Sequence, residues 1–126
     1  MRLLLDTHIF LWCITDDKRL SKAAKAKIIH ASDVYISAAS IWEMTIKVKL
    51  KKLKADMKQV VKAIDESGFT ELPISVEHAL ATSNLPDLHR DLFDRILVAQ
   101  AITEPLILLT ADAQLKEYSK LVEVIF

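Results

Sequence analysis

Met1-Arg2-Leu3-Leu4-Leu5-Asp6-Thr7-His8 is the stretch whose reading decides the fold. Three leucines in succession do not alternate with polar residues, so they read as a short strand buried on both faces. An acid follows at once. The same grammar returns at Leu106-Ile107-Leu108-Leu109-Thr110-Ala111-Asp112, where a strongly apolar strand again runs into a hydroxyl and an acid. Between them, Val34-Tyr35-Ile36 has strand composition. Phe69 to Ile74 predicts a further strand, and Leu121 to Ile125 a last, less strongly marked one.

Helical spacing fills the intervals. Ile9, Phe10, Trp12 and Cys13 continue at helical spacing, and a second helical stretch runs from Leu20 to His30. Ser37 or Ser40 can cap the next helix, which is expected to carry Ile41, Trp42, Thr45 and Val48 on one side. A polar helix from Asp56 to Glu66 ends near Gly68, the one glycine in the chain, suited to the left-handed position after a helix end. Val76 to Asn84 predicts another helix. Leu92 to Thr103 is apolar almost all round and predicts a central helix packed on several sides, with Pro105 ending it.

Strands and helices alternating in this way predict an α/β fold: an open, mostly parallel sheet with helices on both faces. The 126 residues suit a single domain over 1–126. Hydrophobic residues make up 52% of the chain, which excludes a disordered polymer. Seventeen basic and seventeen acidic side chains cancel, so any nucleic acid must be held by local patches and bound cations rather than by net charge. Cys13 is the single cysteine, which excludes an internal disulfide and fits a reducing compartment. The opening apolar run is too short for a signal peptide, and no run approaches the ~18 residues of a membrane span. A cytoplasmic protein with no membrane partner is expected. Neither GxGxxG nor a P-loop is present.

In an open α/β sheet, ligands bind beyond the carboxyl ends of the strands. Asp6 and Asp112 follow strand ends directly. Glu43 lies in the first two turns of the helix after Val34–Ile36, and Asp94 in the first turn of the central helix, three residues after Asp91. Topology therefore brings Asp6, Glu43, Asp94 and Asp112 to one rim. Crowded carboxylates repel one another unless a cation neutralises them. Oxygen ligands without clustered His or Cys favour Mg²⁺ or Mn²⁺ over Zn²⁺, and such ions can support phosphodiester hydrolysis.

Each acid also has a purely local reading. Asp6 and Asp112 can cap the helices that follow them. Glu43 can pair with Lys47 at i,i+4. Asp91 with Asp94 has the form of a capping box. Arg90 and Arg95, beside the rim, are candidates for phosphate contacts, although Arg95 can also pair with Asp91. The run Lys47, Lys49, Lys51, Lys52 and Lys54 reads as a solvated helix end or as a surface for RNA phosphates or an acidic partner. Trp12 and Trp42 read as core residues, or one of them as part of a groove for a partner helix. His8, His30, His78 and His89 have no metal-binding spacing, and Cys13 is expected to be buried and inert.

Leu3-Leu4-Leu5-Asp6-Thr7-His8 with Leu11-Trp12, and Ser37-Ala38-Ala39-Ser40-Ile41-Trp42-Glu43, resemble the opening half of PIN-domain toxins of the VapC type. His89-Arg90-Asp91-Leu92-Phe93-Asp94-Arg95 and Leu109-Thr110-Ala111-Asp112 resemble their second half. The resemblance implies a three-layer α/β/α domain that binds Mg²⁺ or Mn²⁺ and cuts single-stranded RNA. It implies metal-site and catalytic roles for Asp6, Glu43, Asp94 and Asp112, with Thr7 and Thr110 as pocket hydroxyls that orient the acids or their waters. It also implies a small antitoxin as partner and a homodimer in the cytoplasm.

Two positions depart from that pattern. Leu92 stands where the family commonly has proline, and Leu50-Lys51-Lys52-Leu53 where it often has a glycine turn. The helix before Lys51 then either runs on or turns differently. A phosphatase of the haloacid dehalogenase type would want a second aspartate where this chain has His8, and a receiver domain would want paired N-terminal acids. A degenerate PIN domain that only binds RNA or protein would be favoured by a missing acid, and all four are present.

Overall fold

The computed structural model describes residues 1–88 and 91–125. Five strands, β1 (Arg2–Leu5), β2 (Asp33–Ser37), β3 (Thr70–Leu72), β4 (Ile107–Thr110) and β5 (Val122–Val124), form one sheet in the order β3-β2-β1-β4-β5, with every pairing parallel. Six helices cover it: α1 (Thr7–Ile14), α2 (Lys22–His30), α3 (Ala38–Lys49), α4 (Met57–Glu66), α5 (Val76–Ala81) and α6 (Leu92–Thr103). Short 3₁₀ helices follow α5 at Thr82–Asn84 and β4 at Ala113–Tyr118.

The three-leucine strand behaves as its composition dictates. Successive side chains of a strand point to opposite faces. Leu3 and Leu5 accordingly join the core under α1, α2 and α4, while Leu4 joins the one under α5 and α6. Leu109 and Leu108 divide the same way in β4. Full burial of a leucine contributes ~1.5–3 kcal/mol, so the two central strands anchor both cores. The result is the three-layer α/β/α arrangement. No helix of the described residues is long and apolar enough to cross a membrane.

Helix ends follow local chemistry. Gly68, at φ 75, follows α4 in the left-handed conformation, with Gly68 N–H donating to Asp65 O and Phe69 N–H to Ile64 O. The same double closure ends α3, but Lys51 occupies the left-handed position at φ 60, with Lys51 N–H on Val48 O and Lys52 N–H on Lys47 O. The helix therefore stops without a glycine, which answers the question left open at Leu50–Leu53.

Some expectations change in detail. The Val76–Asn84 helix shortens to α5 and passes into a 3₁₀ turn. The central helix is enclosed only over Leu97–Ala101, while its ends at Leu92 and Ile102 are exposed. The buried face of α3 is the larger correction. It carries Ala39, Ser40, Glu43 and Met44, whereas Trp42 is 60% exposed and Thr45 also faces solvent. Trp42 is thus no core residue. Polar side chains turn inward here because that side of α3 faces the acid rim. Trp12 is half-buried against the core as expected, and Cys13 is half-buried rather than enclosed.

Candidate metal centre

The chain leaves β1 toward β2 and β3 on one side and returns to β4 and β5 on the other, which puts the topological switch between β1 and β4. Crevices at such switches are where open α/β sheets bind ligands. Asp6 sits in this crevice, its backbone N–H donating to Leu109 O at 3.0 Å.

Asp6 occupies the cap position of α1, yet its side chain makes no cap hydrogen bond. Its Oδ2 accepts instead from Thr110 Oγ1 at 2.5 Å. That same hydroxyl oxygen accepts from Asp112 N–H at 3.0 Å. One threonine on β4 therefore orients the acid of β1 and holds the segment that carries Asp112. Asp6 is 5% exposed, and burial pushes its carboxyl above the usual carboxylate range; Thr110 and His8 pull it back, and Glu43 pushes it further up.

Glu43 is buried on α3 and pairs with Lys47 one turn later, at 3.2 Å. The i,i+4 reading and the buried-acid reading are both realised. Thr7 Oγ1 donates to Ser40 Oγ at 2.9 Å, and both hydroxyls are buried. Sequence alone offers Ser37 or Ser40 as the helix cap, and Ser37 performs that task by accepting from Ala39 N–H. The position of Ser40 one turn before Glu43 was the signal that it shares the acid's face.

Asp94 is half-buried in the first turn of α6. Asp91 caps that helix, accepting from Phe93 N–H at 2.9 Å and Asp94 N–H at 3.1 Å. Asp112 caps the 3₁₀ helix after β4 by accepting from Gln114 N–H at 2.9 Å. Arg95 reaches away from solvent: it donates to Thr82 O and Pro86 O and lies 6.0 Å from the Tyr118 ring. These contacts tie α6 to the segment before it. Arg90, with His89, lies outside the described residues.

All four acids thus belong to segments at the carboxyl edge, with Asp6 and Glu43 close enough for their charges to interact. Among the described residues, no three His, Cys, Asp or Glu side chains stand together as a closed metal-ligand set. The donors nevertheless fit a hard divalent cation. Mg²⁺ is held by one or two carboxylates and keeps several waters, so a protein cage is not required. Burial, with Glu43 nearby, disfavours the charged form of Asp6, and a cation placed beside it would offset that cost.

The sequence model of the PIN domain family matches residues 3–121. The chain belongs to the PIN domain family. This PIN domain is 26% identical over 121 residues to Ribonuclease VapC22 of Mycobacterium tuberculosis, across 91% of its own length and 90% of that protein's. Its fold is similar to a solved structure of VapBC2 from Rickettsia felis bound to a promoter DNA fragment, with TM-score 0.72 and 16% identity over 99% of this chain and 98% of that one. A toxin–antitoxin complex from Klebsiella pneumoniae matches with TM-score 0.62 and 22% identity, over 87% and 86% of the respective chains.

Proposed function

We propose that this PIN domain is a divalent-metal-dependent endoribonuclease that hydrolyses phosphodiester bonds of single-stranded RNA, and the toxin of a toxin–antitoxin pair. The observation that carries this reading is the buried Asp6–Glu43 pair at the β1/β4 switch, set by Thr110, in a chain whose relative is named a ribonuclease.

Asp6 and Glu43 would hold Mg²⁺ or Mn²⁺, with Asp94 and Asp112 on the flanking segments of the same rim. When bound, the ion supplies Lewis-acid polarisation of the phosphate and a more acidic water. The chain's own contribution is orientation. Thr110 fixes one oxygen of Asp6. Lys47 pairs with Glu43 and brings a positive charge to the rim. The further lysines beyond it on α3 and its turn, Lys49, Lys51, Lys52 and Lys54, are all exposed and suit sequence-independent contact with RNA phosphates.

The partners follow the same reading. A solved structure of similar fold is a toxin–antitoxin complex, which supports a small cognate antitoxin here. An apolar face supports a homodimer: Trp42, Ile46, Ile74 and Leu92 line a groove of ≈ 530 Å³, with exposed Val76 and Leu80 beside it on α5. Contiguous exposed apolar residues of this kind mark interaction sites. A cytoplasmic location accords with the reducing compartment expected for Cys13 and with RNA as substrate.

The test is cleavage of a pool of single-stranded and structured RNAs with Mg²⁺, with EDTA, and with Asp94→Asn. Wild type is expected to cut, and either treatment to reduce cutting by at least ~100-fold, the scale of one lost electrostatic group at a reacting centre. Cutting that survives both would sink the metal-nuclease reading.

A further inference from the structure

Two acid-bearing segments meet at the rim from different parts of the fold, and a buried side-chain hydrogen bond joins them. Thr7 follows Asp6, and Ser40 precedes Glu43 by one helical turn. Thr7 Oγ1 donates to Ser40 Oγ at 2.9 Å, across 33 residues of sequence. Thr7 is 3% exposed and Ser40 0%. We infer that Ser40 is a positioning residue: with Thr7 it forms a buried hydroxyl bridge that sets where Glu43 stands relative to Asp6. The inference rests on the reading of these acids as a divalent-cation site.

Stability alone does not call for this bridge. Replacing both partners of a buried hydrogen bond by apolar groups of similar shape is nearly neutral, so a valine facing an alanine would pack the same space. What the hydroxyls add is direction and a fixed separation. Asp6 and Glu43 are like-charged acids buried on neighbouring segments, and like charges repel. Apolar packing holds α3 against the core but leaves small shifts open, and the bridge removes those that would widen the gap between the two acids. Thr7 gives its single hydroxyl hydrogen to Ser40, which orients the bridge from the β1 side toward α3. Polar contacts that orient ligand-bearing groups change metal affinity by ~10–100-fold when removed.

The experiment is Mn²⁺ titration by calorimetry, without RNA, of wild type, Glu43→Gln, Thr7→Ser and the double variant Thr7→Val with Ser40→Ala. Removing both hydroxyls together avoids stranding one of them, and metal-free melting curves confirm that each variant folds. Wild type is expected to bind Mn²⁺ and Glu43→Gln to bind it far more weakly. The double variant is expected to lose ~10–100-fold in affinity with an unchanged metal-free melting midpoint, while Thr7→Ser keeps wild-type affinity. A double variant that binds like wild type overturns the positioning role, as does a Thr7→Ser that binds as weakly as the double. A folded wild type that gives no binding sensitive to Glu43→Gln overturns the metal-site reading itself, and the bridge with it.

Discussion

At the scale of single residues, Asp6 shows a site in tension with the stability of the fold. Its carboxyl is shifted above its ordinary value, chiefly by burial and then by Glu43 against the pull of Thr110 and His8. An acid whose folded pKa is raised favours the folded state fully below its unfolded pKa of ~3.9, and that favour is lost as pH rises through the folded value. At neutral pH, in the absence of metal, ionised Asp6 therefore costs stability. Asp6→Asn keeps an acceptor for Thr110 and removes the charge. It is expected to abolish cleavage yet melt at a higher temperature than metal-free wild type at pH 7, the gap closing as pH falls below about 4. Equal melting at pH 7, measured by circular dichroism in EDTA, would contradict that account. The residues show also what the sequence left hidden. The positions of Asp6 and Glu43 near strand carboxyl ends were legible from the order of the elements, whereas Thr110 was marked only by the family resemblance. The roles of Ser40 and Arg95 were not legible, since both are fixed by partners distant in sequence, Thr7 for one and Tyr118 with two backbone carbonyls for the other.

At the scale of elements, apolar runs and punctuation carried most of the information. The Leu92–Thr103 helix is found with the bounds its composition suggests, and Gly68 stands where a left-handed residue is required. Periodicity misled at α3, where the rule that the buried face is the apolar face fails. Ser40 and Glu43 point inward toward the rim, and Trp42 is left outside. The end of the same helix carries a local cost. Lys51 holds φ 60, a conformation that disfavours a side chain by ~1–2 kcal/mol. Lys51→Gly is expected to stabilise the protein by about 1 kcal/mol in urea unfolding, less what glycine adds to unfolded-chain entropy. A destabilised variant would show that the Lys51 side chain contributes more than its backbone costs.

At the scale of the whole molecule, the sheet and its exposed faces set what the domain can join. The groove between α3, α5 and α6 ends at Leu92, which is 78% exposed at the first position of α6, where a helix tolerates proline well. If this face joins two copies, a charge placed there must be desolvated on association. Leu92→Glu is expected to raise the dimer dissociation constant by at least ~10-fold, read by sedimentation velocity at micromolar concentration. A wild type that stays monomeric at tens of micromolar would remove the dimer from the proposed function. The face lies outside the crevice between β1 and β4, so the substitution leaves the Asp6–Thr110 contact in place.

That contact has a consequence during synthesis. Asp6 and Thr110 are 104 positions apart, and β1 gains its β4 neighbour only when residues 107–110 have been made. A nascent chain shorter than this has an unpaired edge on β1 and an acid with no hydroxyl to hold it. At about 5–20 residues per second, several seconds of synthesis separate the two residues before the crevice can close. The ribosome that builds this protein therefore handles an unfinished crevice until residues 107–110 have been joined.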